Sequence, residues 1–180
     1  MKNVKVIDNF LSDEEYNQII STIFKQDFPW SFGPILDDRY DYKVTNNQDS
    51  YKFTAQKKYN FQFCHILHFN SVASPYFTDI FGPIGNTLKP ESLVNVKINL
   101  NPLTDSVVEH ALHTDNPYKN CKTAIYYINT CDGYTLFEDG SKVESVANRL
   151  VTFPTQTEHT GTTTTNCNAR CVININYFKD

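Results

Sequence analysis

The chain has 180 residues, the size of one domain, and 20% of them are charged, with a formal net charge of −4. This balance excludes a disordered polyelectrolyte and a generic cationic nucleic-acid binder. No stretch approaches the roughly 18–20 apolar residues that span a bilayer, and the acidic start lacks the apolar core of a signal peptide. Five cysteines without a C-x-x-C pair are typical of reduced thiols, so we expect a cytoplasmic protein.

The first predicted element is an amphipathic helix that begins after Ser12. Ser12 and Glu15 stand three residues apart in S-D-E-E, which is the pattern of a capping box. Apolar side chains then recur at helical spacing as far as about Gln26, so one face of this helix should be buried. These side chains are Tyr16, Ile19, Ile20, Ile23 and Phe24.

A second helix is predicted over about 74–88, where apolar residues again recur at helical spacing. Ser74 and Pro75 suit its N-cap and first helical positions. Gly82 and Pro83 should kink or break it, because proline removes a backbone donor and clashes with the preceding turn. Between the two helices, the segment 27–54 contains prolines, charges and polar residues, which predict a long loop with short strands.

From residue 93 onward the pattern is that of β-strands. The segment LVNVKINL alternates apolar and polar residues, as a strand with one buried face does. Six or more strands within about 90 residues favour a sandwich or barrel and leave no room for a parallel sheet with helical crossovers. No linker interrupts the chain, so 1–180 is predicted to be one domain. The further strand-like segments are KTAIYYIN, YTLFEDG, KVESV, RLVTFP and RCVININYF.

Three features of this strand-rich half suggest a metal site. His113 and Asp115 form an H-x-D, and on an extended segment their side chains point to the same side. His159 follows in E-H-T-G, after enough intervening residues for roughly four strands, so a closed sandwich can return it beside His113. Two histidines and one carboxylate are the ligands of non-haem Fe(II) oxygenases. Arg170 then opens the last strand.

The strand-rich half resembles the double-stranded β-helix core of the Fe(II)/2-oxoglutarate-dependent dioxygenases, and in particular the prolyl 4-hydroxylase-like branch. The resemblance covers about 93–178, while the N-terminal half matches only loosely, as a helical support. It implies a mainly β (α+β) fold, with a jelly-roll, cupin-like core over 93–180 and with helical support and substrate-side loops over 1–92. The motifs that carry it are HTDNPYKNCKTAIYYINT, GYTLFEDG, NRLVTFP, EHTG and RCVININYF.

The resemblance also assigns roles to individual residues. It implies that His113, Asp115 and His159 bind Fe(II) as the catalytic centre, with 2-oxoglutarate and O₂ as co-substrates; ascorbate is a further cofactor that it allows. Arg170 would hold the far carboxylate of 2-oxoglutarate, a task that suits a planar and permanently charged guanidinium. Tyr127, the second tyrosine of IYYIN, matches a family position that contacts the same carboxylate.

The last strand supports these roles through its alternation. Arg170, Val172, Asn174 and Asn176 share one face, and a polar face of this kind should line a ligand cavity. Asn174 is therefore a further candidate for cofactor binding, and Asn99 and Asn101 are expected to point inward from the first core strand. The opposite, apolar face should pack on the N-terminal helices. That face carries Cys171, Ile173, Ile175 and Tyr177.

Other residues allow both a structural and a functional interpretation. Trp30, the only tryptophan, either contacts substrate from the early loop or forms a hydrophobic clasp over the core. His65 and His68 stand three apart in a predicted strand, so we expect them on opposite faces, in packing roles. His110 is interpreted as a loop residue, and Arg149 as structural.

The predicted function is hydroxylation of an unactivated C–H bond, with a peptidyl proline as the first candidate substrate and a free amino acid or other small molecule as the alternative. A nucleic-acid demethylase of the same superfamily is disfavoured, because RCVININYF lacks a second arginine and the chain is acidic. No nucleic-acid or membrane partner is expected. A jelly-roll protein that binds a ligand without turnover is the alternative from a different class.

Overall fold

Two antiparallel sheets and two helices make up the part of the chain that the computed structural model describes, residues 3–35 and 61–179. The helices are α1 (Asp13–Ile23) and α2 (Phe77–Leu88). The strands are β1 (Lys5–Ile7), β2 (Ser31–Gly33), β3 (Gln62–Phe69), β4 (Val72–Ala73), β5 (Ser92–Pro102), β6 (Cys121–Tyr127), β7 (Tyr134–Phe137), β8 (Lys142–Glu144), β9 (Arg149–Pro154), β10 (His159–Gly161) and β11 (Ala169–Phe178).

The larger sheet has the strand order β1-β9-β6-β11-β5-β3-β2, with β4 paired to β3, and the smaller sheet has the order β10-β7-β8. One buried apolar cluster joins the two sheets: Ile125, Tyr127, Val151, Phe153 and Val172 from the larger, Phe137 and Val143 from the smaller. The sheets therefore form a sandwich, and the mainly β jelly-roll fold predicted from the sequence is confirmed. Seven of the strands follow residue 91, in agreement with the strand-rich second half.

Helix α1 begins as the capping box predicts. The Glu15 backbone N–H donates to Ser12 Oγ at 3.3 Å, and the Ser12 backbone N–H donates to Glu15 Oε2 at 3.1 Å. The two bonds satisfy two of the backbone donors that a helix start leaves unpaired. The helix ends at Ile23, three residues before the predicted end, and it buries Ile19 and Ile23 completely.

Helix α2 corrects two expectations. It begins at Phe77 and not at 74, because Ser74 Oγ accepts from the Tyr76 backbone N–H before the helix starts. Pro83 lies inside the helix, which continues through it to Leu88. Proline has no N–H for the carbonyl of Asp79, four residues earlier. Gln18 Nε2 of α1 donates to that carbonyl at 3.3 Å, so the neighbouring helix supplies a replacement donor.

The two helices cover the outer face of the larger sheet. The apolar face of β11 packs in one buried cluster with Ile19 and Ile23 of α1 and with Ile80, Ile84 and Leu88 of α2, as its alternation predicts. No helix among residues 3–35 and 61–179 is long and apolar enough to cross a membrane. The β11 residues in this cluster are Cys171, Ile173, Ile175 and Tyr177.

Strand β3 contains a register shift between Ile66 and His68. His65 pairs with Ile98 and His68 with Val96, and Ile98 and Val96 lie on the same face of β5. The two histidines therefore share a face, and the predicted opposite orientation is wrong, because an inserted residue breaks the two-residue period. Of the predicted loop over 27–54, residues 36–54 lie outside the described part of the chain.

Candidate active site

His113 and His159 lie side by side although they are distant in sequence. Their backbones form a bridge in which each N–H donates to the other residue's carbonyl at 3.0 Å. The two imidazole rings are 5.0 Å apart, and Phe153 packs edge-on against His159 at 4.7 Å. This backbone pairing joins the loop that carries His113 to strand β10, and it therefore holds the two rings next to each other.

Each of these imidazoles is oriented through its Nδ1 atom. His113 Nδ1 lies 3.2 Å from the carbonyl of Ala111, and His159 Nδ1 lies 3.0 Å from the carbonyl of Thr157. A carbonyl oxygen only accepts, so Nδ1 carries the hydrogen in both rings. In the neutral form of such a ring the lone pair is on Nε2, which is the atom that then binds a metal. Burial, the neighbouring His159 and Lys97 all lower the pKa of His113, which favours the neutral ring.

Asp115 faces the two histidines and is held by donors from two strands. The Thr123 hydroxyl donates to Oδ2 at 2.8 Å, and the amides of Asn174 and Asn176 each donate at 3.2 Å. Burial acts to raise the pKa of Asp115, but His159, the Thr123 hydroxyl and His113 outweigh it, so the pKa lies below its ordinary value. The carboxylate is therefore ionised and fixed in direction.

The structure thus brings together the three residues that the sequence proposes as metal ligands. His113, Asp115 and His159 each offer a ligand atom, these atoms lie within 4.8 Å of one another, and the three residues could hold a metal ion. His159 Nε2 lies 3.8 Å from Asp115 Oδ1. All three line one cavity together with Arg170. Two imidazoles and one carboxylate suit a divalent iron with open positions.

Arg170 is 2% exposed and lies between the two sheets. Its Nε donates to Ser145 Oγ at 3.0 Å and its Nη2 to Thr135 Oγ1 at 3.2 Å. Among the described residues no carboxylate pairs with it, and burial lowers the pKa of its guanidinium. A buried cation with only hydroxyl partners is unfavourable by several kcal/mol, so this end of the cavity is suited to an anion.

Tyr127 is fully buried next to Arg170 and is not one of the residues that line the cavity. Its hydroxyl donates to Thr135 Oγ1 at 2.8 Å, and its ring centroid is 5.6 Å from the Arg170 guanidinium carbon. Tyr127 therefore lies beside the arginine proposed to hold 2-oxoglutarate, and its own contact with the co-substrate stays a prediction. Burial raises the pKa of its phenol.

Asn174 lines the cavity, as the alternation of β11 predicts, but its amide nitrogen is engaged with Asp115. The contact makes it a support for a proposed metal ligand. Asn99 and Asn101 also line the cavity, in agreement with their expected inward direction.

Sequence reasoning missed two ionisable residues of this cavity, His110 and Lys97. His110 was expected to be an ordinary loop residue; burial, with the charges of Arg170 and His113, lowers its pKa to about 4, so it is neutral at pH 7. Its Nε2 is buried with no hydrogen-bond partner among the described residues. Lys97 shares a strand face with Asn99, so the alternation that pointed to Asn99 could have found it.

Trp30 lies away from the cavity and packs on the core. Its ring meets Phe28 edge-on at 5.0 Å, and Phe28 is buried against Tyr76 at the same centroid distance. Trp30 is one of the partly buried residues that pack against the main core cluster. These contacts favour the hydrophobic clasp over the substrate contact.

Comparisons with protein-family models and with curated proteins find no match to the sequence. The fold, in contrast, is similar to solved structures over nearly the whole chain. A prolyl hydroxylase from Trichoplax adhaerens, solved with a peptide fragment of the hypoxia inducible factor oxygen degradation domain, is 15% identical with a TM-score of 0.65, over 99% of this chain and 84% of that one.

Two further structures extend the comparison. The viral collagen prolyl hydroxylase of Paramecium Bursaria Chlorella virus-1, solved as a 2-oxoglutarate complex, is 14% identical with a TM-score of 0.59, over 97% of this chain and 95% of that one. A non-haem α-ketoglutarate-dependent carbocyclase from nogalamycin biosynthesis is 12% identical with a TM-score of 0.63, over 97% of this chain and 79% of that one. The chain therefore has the fold of 2-oxoglutarate-dependent oxygenases. Because prolyl hydroxylases and a carbocyclase share it, the fold does not define the substrate.

Proposed function

We propose that this protein is an Fe(II)- and 2-oxoglutarate-dependent oxygenase that hydroxylates an unactivated C–H bond. The observation that carries the proposal is one cavity lined both by the three converging ligand residues and by a buried arginine that has no counterion in the described part of the chain. His113, Asp115 and His159 would hold the iron. Arg170 would hold a carboxylate of 2-oxoglutarate, which offers the planar partner that a guanidinium binds best.

When bound, the iron, 2-oxoglutarate and O₂ supply the oxidising chemistry, in which 2-oxoglutarate is converted to succinate. The protein's own residues orient the metal ligands and the co-substrate and exclude water from the site. The carbonyl oxygens of Ala111 and Thr157 accept from Nδ1 of the two histidines, so Nε2 would be the ligand atom of each ring. Thr123 and Asn174 hold the direction of the Asp115 carboxylate. Phe137 and Phe153 pack beside His159 and shield its ring from solvent.

A peptidyl proline is our first candidate for the substrate. Its support is the sequence resemblance to prolyl 4-hydroxylases, together with a shared fold in a hydroxylase solved with a peptide fragment. A free amino acid or other small molecule is the second candidate, which the cationic lining of the cavity favours. Ascorbate would act only as an accessory cofactor.

The proposal is tested by loading the purified protein with Fe(II) under anaerobic conditions and adding 2-oxoglutarate and O₂. We expect one metal ion per chain and succinate formation, and with a proline-containing substrate the mass gain of one oxygen atom. Asp115→Ala should lose metal binding and turnover but keep its circular dichroism spectrum. Metal binding that survives in this variant would refute the iron site, and binding of 2-oxoglutarate without any succinate would support the non-catalytic alternative.

A further inference from the structure

We propose that Lys97 binds a carboxylate group of the substrate beside the metal site, so that the substrate is a free amino acid or the C-terminal residue of a peptide. The inference rests on the proposed function and adds the substrate's chemical class. The carboxylate is the chemistry that both sources share.

Strand pairing places Lys97 next to the proposed metal ligands. Lys97 of β5 pairs with Asn174 of β11, and the Asn174 amide donates to Asp115 at 3.2 Å. Lys97 lines the same cavity as the triad, on the strand face that also carries Asn99 and Asn101. Its ammonium group is thus available to whatever occupies the cavity beside the metal.

Lys97 and Arg170 serve different anionic groups. Arg170 pairs with Asn101 in the register that pairs Asn174 with Lys97, so the two cations stand four residues apart along the strands. At about 3.3 Å per residue their backbones are separated by about 13 Å. The Arg170 side chain is also held toward the smaller sheet by Thr135 and Ser145. If Arg170 holds the far carboxylate of 2-oxoglutarate, Lys97 remains for another anion.

The charges of the cavity require such an anion. Among the described residues, Asp115 is the only carboxylate of the lining, and no carboxylate lies within salt-bridge distance of Lys97. With iron and 2-oxoglutarate bound, the positive charges of the metal, Lys97 and Arg170 would exceed the negative charges of Asp115 and 2-oxoglutarate by one. The C-terminal carboxylate of a peptide would balance this charge, whereas a free amino acid would leave the total unchanged and pair its carboxylate with Lys97. A partly buried ammonium without a partner is unfavourable, and a substrate carboxylate would remove that penalty.

Asn99 indicates that the substrate carries a hydrogen-bond donor next to its carboxylate. It lies two residues after Lys97 on the same face, and its Oδ1 atom is buried without a hydrogen-bond partner among the described residues. An amide oxygen accepts, so it needs an N–H or O–H donor from the ligand. An α-amino acid carries a nitrogen donor next to its carboxylate, which matches the order of Lys97 and Asn99 along the strand.

The test is a set of calorimetric titrations of the protein loaded with Fe(II) and 2-oxoglutarate without O₂. The probes are the twenty free amino acids, their amides, and a tripeptide series with a free or an amidated C-terminus. We expect at least one free carboxylate to bind about 10- to 100-fold more tightly than its amide, as a charged hydrogen bond allows. The free amino acids and the tripeptides distinguish the two sources of the carboxylate.

Three variants assign the effect to Lys97. Lys97→Gln should abolish the preference for the carboxylate, Lys97→Arg should restore part of it, and Lys25→Gln, which removes an exposed lysine outside the cavity, should change nothing. The affinity for 2-oxoglutarate should stay within about threefold of wild type in all three, since Arg170 is retained.

Two results would overturn the inference while leaving the proposed function intact. One is a protein that binds metal and 2-oxoglutarate but binds no free acid more tightly than its amide. The other is a Lys97→Gln variant that loses affinity for 2-oxoglutarate itself, which would make Lys97 part of the co-substrate site. Absence of metal and 2-oxoglutarate binding in the wild type would instead refute the proposed function, and this inference with it.

Discussion

At the scale of single residues, Asp115 shows how the fold prepares one carboxylate for a metal. Thr123 comes from β6, and Asn174 and Asn176 come from β11, so two adjacent strands supply all three donors. Donors that hold a ligand in place typically set its direction and its affinity for the metal. Substitution of the side chains that hold the triad should therefore change metal binding, as substitution of the triad itself should.

Removing one such donor should weaken metal binding. Asn174→Ala deletes the amide that bridges β11 to Asp115, and we expect the affinity for Fe(II) to fall by about 10- to 100-fold while the triad stays intact. Anaerobic metal titration measures the change. Asn86→Ala, at an exposed position of α2, is the matched control. Equal affinities in Asn174→Ala and in wild type would show that Asp115 needs no support from Asn174.

Arg170→Ala should weaken the binding of 2-oxoglutarate more than it weakens the binding of iron. Truncating one side of a buried charge pair costs on the order of 2–5 kcal/mol, or about 30- to several-thousand-fold in affinity. Arg170→Lys should recover only part of this loss, because lysine lacks the bidentate fork. Titration of the metal-loaded variants with 2-oxoglutarate measures both effects.

The control for this prediction is Arg149→Ala. Arg149 forms a surface ion pair with Asp8, with Nε 2.5 Å from Oδ1, and lies outside the cavity, so its loss should leave the affinity for 2-oxoglutarate unchanged. If Arg170→Ala bound 2-oxoglutarate as wild type does, Arg170 would have no part in the co-substrate site.

At the scale of elements, β11 separates the core from the site through its two faces. Ile173 and Ile175 pack with the helices, whereas Arg170 and Asn174 face the cavity. Because side chains alternate with a period of two, a shift of one residue would place the charges in the apolar core. The apolar packing on one face therefore holds the functional residues of the other face in register.

The turn after β6 also depends on close packing around Arg170. A Cβ atom on Gly133 would lie 2.5 Å from Arg170 Cδ and 2.7 Å from the Thr163 carbonyl oxygen. Gly133→Ala should therefore displace the arginine, lower the free energy of unfolding by about 1–3 kcal/mol and weaken 2-oxoglutarate binding. Chemical denaturation and titration measure the two effects.

Gly33→Ala is the matched control for this substitution. Its Cβ would meet no atom within 4 Å, and an extended residue before a proline accepts alanine, so the variant should be about as stable as wild type. A Gly133→Ala variant with wild-type stability and affinity would mean that the Arg170 side chain is free to move aside.

At the scale of the whole molecule, the sandwich buries ionisable groups that water would otherwise solvate. Burial lowers the pKa of His110 and of His113, and it raises the pKa of Cys171 to about 12. Each shift means that the folded and unfolded chains bind protons differently at some pH, so the stability of the protein depends on pH.

His110 should make the metal-free protein sensitive to acid. Its pKa is about 4 when folded and near 6.5 when unfolded, so below pH 6.5 the unfolded chain takes up a proton that the folded chain does not. The free energy of unfolding should therefore fall as the pH drops from about 6.5 to about 4, by up to about 3 kcal/mol from this residue. Urea unfolding at pH 7.5, 5.5 and 4.5 measures this decrease.

His110→Gln removes the titrating ring and keeps a polar side chain. The variant should lose less stability than wild type over the same pH range. An equal decrease in both proteins would assign the acid sensitivity to other groups, among them His113, whose pKa is also lowered.

Local patterns in the sequence predicted those features that depend on near neighbours along the chain. The capping box at Ser12 and the two faces of β11 follow from spacings of three and two residues. The H-x-D pattern, with a later histidine and arginine in a strand-rich half, predicted that His113, Asp115, His159 and Arg170 would lie in one cavity. The cap and the strand faces need only backbone periodicity, whereas the roles of these four residues were implied by the resemblance to the 2-oxoglutarate-dependent dioxygenases.

The tertiary structure decided what depends on contacts between distant segments. Helix α2 continues through Pro83, where Gln18 of another helix donates to the carbonyl that proline leaves unpaired. The smaller sheet brings Thr135 to the Tyr127 hydroxyl. His110 lines the cavity because the sandwich closes around its loop, which no local pattern encodes, whereas Lys97 follows the alternation of β5.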